Sequence, residues 1–201
     1  VTGRDLGVLA PLLRAARHGL AAYDEMVRSA EFRNPLRWDD IRTADFAGVV
    51  LPGGHAPGMK AYLESSLLQA RVVEFFDARK PVGAICHGVV LAARSRTAQG
   101  RSVLWDRRTT ALTRTLELTG WWLTRLWLGD YYRTYSETVE GEVRECLATP
   151  SQFESGPLAL RRDGPDDLSP GFVVRDGPYL SARWPGDAHR FAASLVEELA
   201  R

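Results

Sequence analysis

The sequence has few cysteines, almost no net charge and no long apolar run, and each of these absences excludes a class of protein. Its two cysteines among 201 residues, Cys86 and Cys146, are too few for a disulfide-stapled secreted domain. Basic and acidic residues number 26 and 25, which predicts no nucleic-acid partner. The apolar run at 6–13 is too short to span a membrane, and Asp5 ahead of it is unlike a signal peptide. We therefore expect a cytoplasmic protein with no membrane partner.

What is present is an ordinary globular composition, with 45% hydrophobic and 25% charged residues. This length and composition predict a single domain over residues 1–201. Within it we expect an irregular or helical lead-in at 1–44 and a core at 45–201, with an aromatic-rich insertion at about 115–160.

The hydrophobic pattern predicts a mostly parallel sheet flanked by helices. Continuous apolar runs at 46–51 and 81–85 are typical of strands that are buried on both faces. Each run is followed by a segment with helical spacing, at 63–79 and at 89–96. Because strand and helix alternate along the chain, the predicted fold class is α/β.

The remaining elements are predicted from local signals. Residues 20–29 have helical spacing, and residues 108–112 are a candidate for a further strand. Asp176 and Gly177 indicate a hairpin turn between two short strands. Asp187 is placed to cap a last helix.

The most informative feature is the turn Ala-Ile-Cys-His-Gly at 84–88, which joins a buried strand to a helix. Small residues on either side of a central nucleophile are typical of a nucleophile elbow, in which the central residue lies in a strained turn. The Cys86 thiol is then at a helix N-terminus, which we expect to lower its pKa and favour the thiolate. The alternative is an ordinary buried cysteine. His87 is a candidate acid–base group for this thiol, unless only its backbone N–H matters.

A second turn, Pro-Gly-Gly-His at 52–55, ends the preceding strand. Glycines let backbone N–H groups approach a ligand closely, so we predict that Gly53, Gly54 and His55 contribute to an oxyanion or substrate site. The N–H groups of Gly54 and His87 are the candidate oxyanion donors. The alternative is a plain connection between a strand and a loop.

The segments FAGVVLPGGHA at 46–56 and KPVGAICHGVV at 80–90 resemble the ThiJ/PfpI superfamily, and LSARWPGDA at 180–188 is similar to the turn before its last helix. The resemblance implies a flavodoxin-like three-layer α/β/α sandwich, related to class I glutamine amidotransferases. The long insertions resemble the branch that contains a heat-shock chaperone and glyoxalase III. There a downstream carboxylate completes the site, which makes Glu117 the candidate acceptor for the His87 ring. The alternative is that Glu117 faces solvent.

The chain also departs from the family pattern at its beginning. Family members start with a strand, a helix and a second strand, and the first strand supplies a carboxylate that hydrogen-bonds the cysteine. No buried-strand pattern precedes residue 46, so we expect this first strand and its acid to be absent. Val1 fits a start assigned too far downstream. Either the true protein is longer, or this form is impaired, or a partner covers the gap left by the missing strand.

Two functions fit these residues. The first is a cysteine-dependent lyase or hydrolase acting on a small carbonyl or amide, by dicarbonyl hydration of the glyoxalase III type or by amide or peptide hydrolysis. The second is a non-catalytic redox-sensing or chaperone-like stress protein in which Cys86 is oxidised. A third idea is a metal site made from Cys86, His87, His55 and Glu117. No C-x-x-C or H-E-x-x-H spacing supports it, so we predict no cofactor and no metal.

The segment 121–135 carries six tryptophan and tyrosine rings. Aromatic side chains bury large areas, so we expect these rings to pack in the core or in a dimer interface. The resemblance implies a homodimer as one option. The alternative is that the rings cover the active site.

Overall fold

The computed structural model describes residues 16–56, 58–159 and 161–201. The chain divides into two compact units, one that ends at Asp40 and one that comprises Ile41–Arg201. The predictions made for the apolar run 6–13 and for Val1 lie outside the described residues. The single-domain prediction stays a prediction, and each unit is described by itself.

The described part of the first unit is helical, as expected for the lead-in. Helix α1 spans Arg17–Met26 and helix α2 spans Ala30–Arg33, and a 3-10 turn follows at Trp38–Asp40. The Ser29 side chain accepts a hydrogen bond from the Phe32 N–H and begins α2. Residues 16–40 contain no strand.

The second unit is built on a four-stranded sheet with the order β1-β2-β4-β3. Its strands are β1 Val49–Leu51, β2 Val82–Ile85, β3 Val173–Asp176 and β4 Tyr179–Ala182. Strands β1, β2 and β4 are parallel, and β3 is antiparallel to β4. This arrangement confirms the predicted α/β class and the predicted hairpin. Within the described residues β1 is an edge strand, and Val50 on it is 48% exposed.

The described part of this unit has six α-helices besides three 3-10 turns. They are α3 Met59–Glu64, α4 Ser66–Asp77, α5 Gly88–Arg94, α6 Arg114–Leu128, α7 Val139–Glu145 and α8 Ala188–Leu199. The single helix predicted at 63–79 is two helices, because Ser65 leaves the helical conformation and its side chain caps α4 by accepting from the Leu68 N–H. None of the described helices is long and apolar enough to cross a bilayer.

The core lies on both faces of the sheet. On one face α8 packs Phe191 and Leu195 against β4, and a Cβ on Gly83 of β2 would meet the Phe191 ring at 2.7 Å. On the other face α4 and α5 bury a larger cluster that includes Val72 and Leu91. The result is three layers, helix on sheet on helix, with β2 covered from both sides.

Two predictions about local structure are wrong. Residues 108–112 do not form a strand, because Thr109 makes only an isolated bridge to Phe153 and its hydroxyl bonds Tyr179 instead. Asp187 stands at the first turn of α8 but does not cap it. Its carboxylate accepts two hydrogen bonds from the buried Arg183 guanidinium, each at 2.9 Å, so the buried ion pair takes the oxygens that a cap requires.

Candidate active site

Cys86 occupies the turn between the end of β2 and the start of α5. Its φ is +59°, a left-handed conformation that is costly for a residue with a Cβ. Close packing leaves room for the turn only because two neighbours are glycines. A Cβ on Gly88 would lie 1.9 Å from the Leu51 carbonyl oxygen, and one on Gly53 would lie 2.6 Å from the Cys86 Cβ. The strained elbow expected from the sequence is therefore present.

The environment of the thiol differs from the expectation. Cys86 is 6% exposed, and its sulfur lies 3.5 Å from Nδ1 of His87. Burial raises the pKa of the Cys86 thiol to about 12, and the charge of Glu117 raises it further, although the His87 backbone N–H acts in the opposite direction. The prediction of a lowered pKa is wrong, because desolvation of the Cys86 thiol outweighs the hydrogen bond from the His87 backbone N–H.

Two imidazole rings stand beside the thiol. The His55 and His87 ring centroids are 4.5 Å apart in an edge-on arrangement, and the centroids of the Tyr132 and His55 rings are 4.7 Å apart. Burial lowers the pKa of His55 to about 4 and that of His87 to about 3. Both rings are therefore neutral at pH 7, and each can act as a base or as a ligand.

Glu117 is placed differently from either expectation. It is 2% exposed, so it does not face solvent, yet it makes no hydrogen bond with His87. Its Oε2 instead accepts from the backbone N–H of Val139 at 2.9 Å, and its Oε1 lies 3.9 Å from the Arg133 guanidinium. Burial raises the pKa of Glu117. The carboxylate thus joins α6 to the first residue of α7, and it acts on Cys86 through its charge.

The two glycines of the second turn lie at different distances from the thiol. Gly53 abuts the elbow, since a Cβ built on it would be 2.9 Å from the His87 backbone nitrogen. Gly54 is turned towards Met59, whose sulfur would lie 3.2 Å from a Cβ on Gly54. The structure therefore brings Gly53, His55, Cys86 and His87 together at the carboxyl ends of β1 and β2, where parallel sheets bind ligands.

One cavity of the described structure is lined by residues other than His55, Cys86 and His87. Its volume is about 780 Å³, in the usual range for small-molecule sites. Its walls come from α3, α6 and the segment between α6 and α7, namely Lys60, Arg114, Leu118, Trp121, Asp130, Arg133, Thr134, Tyr135, Ser136, Glu137 and Thr138. Arg133 connects the cavity to the site, because it lines the former and faces Glu117 in the latter.

Some aromatic rings of the insertion are exposed at the surface, and one contacts the site. Trp122 and Trp127 are 63% and 42% exposed, so they do not pack in the core of this chain. Tyr132 covers His55, as the alternative for this segment supposed. Sequence reasoning did not single out Tyr132 or Arg133 as site residues, because no spacing relates them to Cys86. Only the fold of the α6–α7 segment brings them there.

The fold and the site define a class: a three-layer α/β sandwich with a cysteine at the strand–helix elbow. Within this class the chain belongs to the family described as ThiJ/PfpI family-like, whose model matches residues 6–157. It is 34% identical over 209 residues to an uncharacterized protein of Archaeoglobus fulgidus, which covers 98% of this chain and 92% of that protein. The predicted resemblance is confirmed.

Two further similarities are more limited. A deglycase of Thermococcus kodakarensis is 28% identical over 105 residues, which are 48% of this chain and 62% of that protein. The crystal structure of glyoxalase III from Candida albicans matches with a TM-score of 0.66 at 20% identity, covering 96% of this chain and 74% of that one. At this identity the likeness shows the fold, and it confirms the flavodoxin-like class.

Proposed function

We propose that this chain is a cysteine-dependent enzyme that acts on a small carbonyl or amide compound, with Cys86 as the nucleophile. The observation that carries the proposal is the contact between the thiol and a neutral imidazole, 3.5 Å from Sγ to Nδ1 of His87, at a strained elbow. A nucleophile and a base within reach of each other are the minimum for covalent catalysis. The names of the relatives, deglycase and glyoxalase III, support a carbonyl substrate.

The buried thiol constrains how the first step proceeds. A free thiolate is disfavoured at this position, so attack on the carbonyl carbon is coupled to proton transfer from sulfur to His87 Nδ1. The new S–C bond forms as the C=O bond gives its electron pair to oxygen, and His87 then returns the proton to that oxygen. The product is a neutral hemithioacetal, and no charge remains on the sulfur.

For a 2-oxoaldehyde the adduct can proceed without any redox partner. The C–H proton of the hemithioacetal moves through an enediol to the adjacent carbon, which yields a 2-hydroxyacyl thioester on Cys86. Water then cleaves the thioester, releases a 2-hydroxy acid and restores the thiol. For an amide, the same tetrahedral adduct expels an amine and leaves an acyl thioester. Backbone N–H groups near Gly53 and His87 are the candidate oxyanion donors.

Glu117 has a supporting role in this proposal. It holds the start of α7 through the Val139 N–H, and its charge disfavours a free thiolate at Cys86. His55 packs against the His87 ring and limits its orientations. Both cysteines are free thiols, which supports a reducing compartment such as the cytoplasm.

Turnover of methylglyoxal and of simple amides by metal-free protein tests the proposal, with lactate followed by NMR. We expect activity in wild-type protein and in the matched control Cys146→Ala, and none above background in Cys86→Ala. His87→Ala should lower kcat by roughly 10²–10⁴, the usual contribution of a general base. Equal turnover by Cys86→Ala and wild-type protein would refute the nucleophile.

A second candidate function is favoured by the exposed face of α6. Leu126 is 90% exposed and Trp122 is 63% exposed, which is unusual for a helix of a monomer. This surface supports either the predicted homodimer or a chaperone-like surface that binds unfolded protein. Sedimentation analysis and an aggregation-suppression assay of Leu126→Glu distinguish them. A monomeric wild-type protein that suppresses no aggregation would exclude both.

A further inference from the structure

Three ligand atoms of a soft-metal site meet at the elbow. One ring nitrogen of His55, one of His87 and the sulfur of Cys86 all lie within 4.8 Å of one another. His87 is 1% exposed, and its Nε2 has no hydrogen-bond partner among the described residues, like the buried Nδ1 of His55. Buried polar nitrogens are nearly always hydrogen-bonded, so the orphaned Nδ1 of His55, beside a thiol and a second imidazole, points to a ligand. We propose that His55, Cys86 and His87 bind a zinc ion.

The chemistry of the donors favours zinc over harder cations. Thiolate and imidazole are the ligands that Zn²⁺ prefers, whereas Mg²⁺ and Ca²⁺ require oxygen ligands. Tetrahedral zinc bonds of about 2.3 Å to sulfur and about 2.0 Å to nitrogen place the two donor atoms about 3.5 Å apart. The Cys86 sulfur and His87 Nδ1 are already separated by 3.5 Å. The His55 nitrogen lies within 4.8 Å of these two donor atoms, so on binding the His55 ring moves towards them.

His55, Cys86 and His87 supply three of the four ligands that a tetrahedral zinc ion takes. In zinc sites of this kind, three protein ligands bind the ion and a water molecule takes the fourth position. On binding, the thiol loses its proton to solvent and the sulfur lone pair forms the Zn–S bond, so the bound unit carries one positive charge. Glu117, which is buried and acts electrostatically on Cys86, supplies the compensating negative charge.

The surrounding structure limits the movement of each ligand. Cys86 is fixed by the elbow, and Gly53 packs against its Cβ. His87 is buried at the start of α5, and Tyr132 packs edge-on against the His55 ring at 4.7 Å. Such outer contacts orient metal ligands in proteins. The sequence offered these residues with Glu117 as a metal site, but we predicted no metal because no C-x-x-C or H-E-x-x-H spacing occurs. The parallel pairing of β1 with β2 brings His55 to Cys86 across 31 positions.

This inference does not rest on the proposed function. Zinc bound to Cys86 occupies the lone pair that attacks a carbonyl, so the enzymatic test uses metal-free protein and the zinc test needs no substrate. A chain that binds zinc but turns over no substrate would refute only the function. A chain that is active and binds no zinc would refute only the metal site.

The experiment is a zinc titration of chelator-treated protein, by calorimetry and by metal analysis after dialysis. Cobalt substitution adds a spectroscopic readout, because a thiolate ligand gives a charge-transfer band that oxygen and nitrogen ligands do not. The variants are Cys86→Ala and His55→Ala, with Cys146→Ala as the thiol control and His189→Ala as the histidine control. Circular dichroism establishes that each variant is folded.

We expect one zinc ion per chain and a thiolate–cobalt band in wild-type protein and in both controls. Cys86→Ala should lose both signals. His55→Ala should weaken binding by more than the roughly 10–100-fold that loss of an outer-shell partner causes. The proposal is overturned if wild-type protein binds no stoichiometric zinc, if Cys86→Ala retains wild-type affinity, or if His55→Ala binds as tightly as wild-type protein.

Discussion

The reactivity of Cys86 as a function of pH is the most direct test of the site's electrostatics. Burial raises the pKa of this thiol to about 12, whereas a free cysteine titrates near 8.5. At pH 8 about a quarter of a free thiol is ionised, but only about one part in ten thousand of Cys86 is. Because only the thiolate reacts, the folded protein should be alkylated at Cys86 about three orders of magnitude more slowly than the unfolded chain.

The assay is iodoacetamide labelling of metal-free protein between pH 7 and pH 10, with the modified peptides quantified by mass spectrometry. The labelling rate of Cys86 should rise about tenfold per pH unit across this range, whereas that of the unfolded chain should level off above its pKa. Glu117→Gln is the matched variant, since its amide oxygen still accepts from the Val139 N–H while the charge that opposes the thiolate is removed. We expect this variant to lower the pKa of Cys86.

One result would refute this reasoning. Suppose that labelling of Cys86 in folded protein levels off below pH 9, at a rate comparable to that of the unfolded chain. Desolvation is then not the main influence on the pKa of Cys86. The thiol would then rest as a thiolate paired with a protonated His87, and the helix-based expectation from the sequence would be right after all.

Three further predictions concern stability in urea. Gly88→Ala places a Cβ 1.9 Å from a backbone carbonyl oxygen at the end of β1. This variant should lower the free energy of unfolding by about 3 kcal/mol or prevent folding. The control is Gly58→Ala, which has open space around it and should lower the free energy of unfolding by under about 1 kcal/mol. Burial lowers the pKa of His55 to about 4, so a fall from pH 7 to pH 5 protonates this ring only in the unfolded state. Over this fall in pH, the free energy of unfolding of wild-type protein should therefore drop by about 2 kcal/mol more than that of His55→Gln. Asp187→Ala leaves the Arg183 guanidinium buried without its partner and should cost about 3–5 kcal/mol; a change under about 1 kcal/mol would show that the ion pair is not what holds this turn.

The sequence by itself determined the sheet and the position of the elbow. Apolar runs that end in Pro-Gly-Gly-His and Cys-His-Gly are local signals, because burial of a short parallel strand and the steric need for glycine at a tight turn are both properties of neighbouring residues. The same local information predicted the hairpin at β3 and β4 and the helix after Cys86. Where it was wrong, another side chain had taken over the group. The Arg183 guanidinium bonds the carboxylate of Asp187, and Tyr179, 70 positions away, bonds the hydroxyl of Thr109.

The tertiary structure alone decided what the site can do. The direction of the Cys86 pKa depends on how completely the fold removes water from the thiol, and no local pattern encodes that. The sequence could indicate Glu117 as a candidate carboxylate of the site. Its hydrogen bond with the Val139 backbone N–H follows from how α6 packs on α7. The contact of Tyr132 with His55, and of His55 with His87, joins residues from three separate segments. Such contacts arise only when the chain folds, since long-range packing sets which side chains share a low-dielectric space.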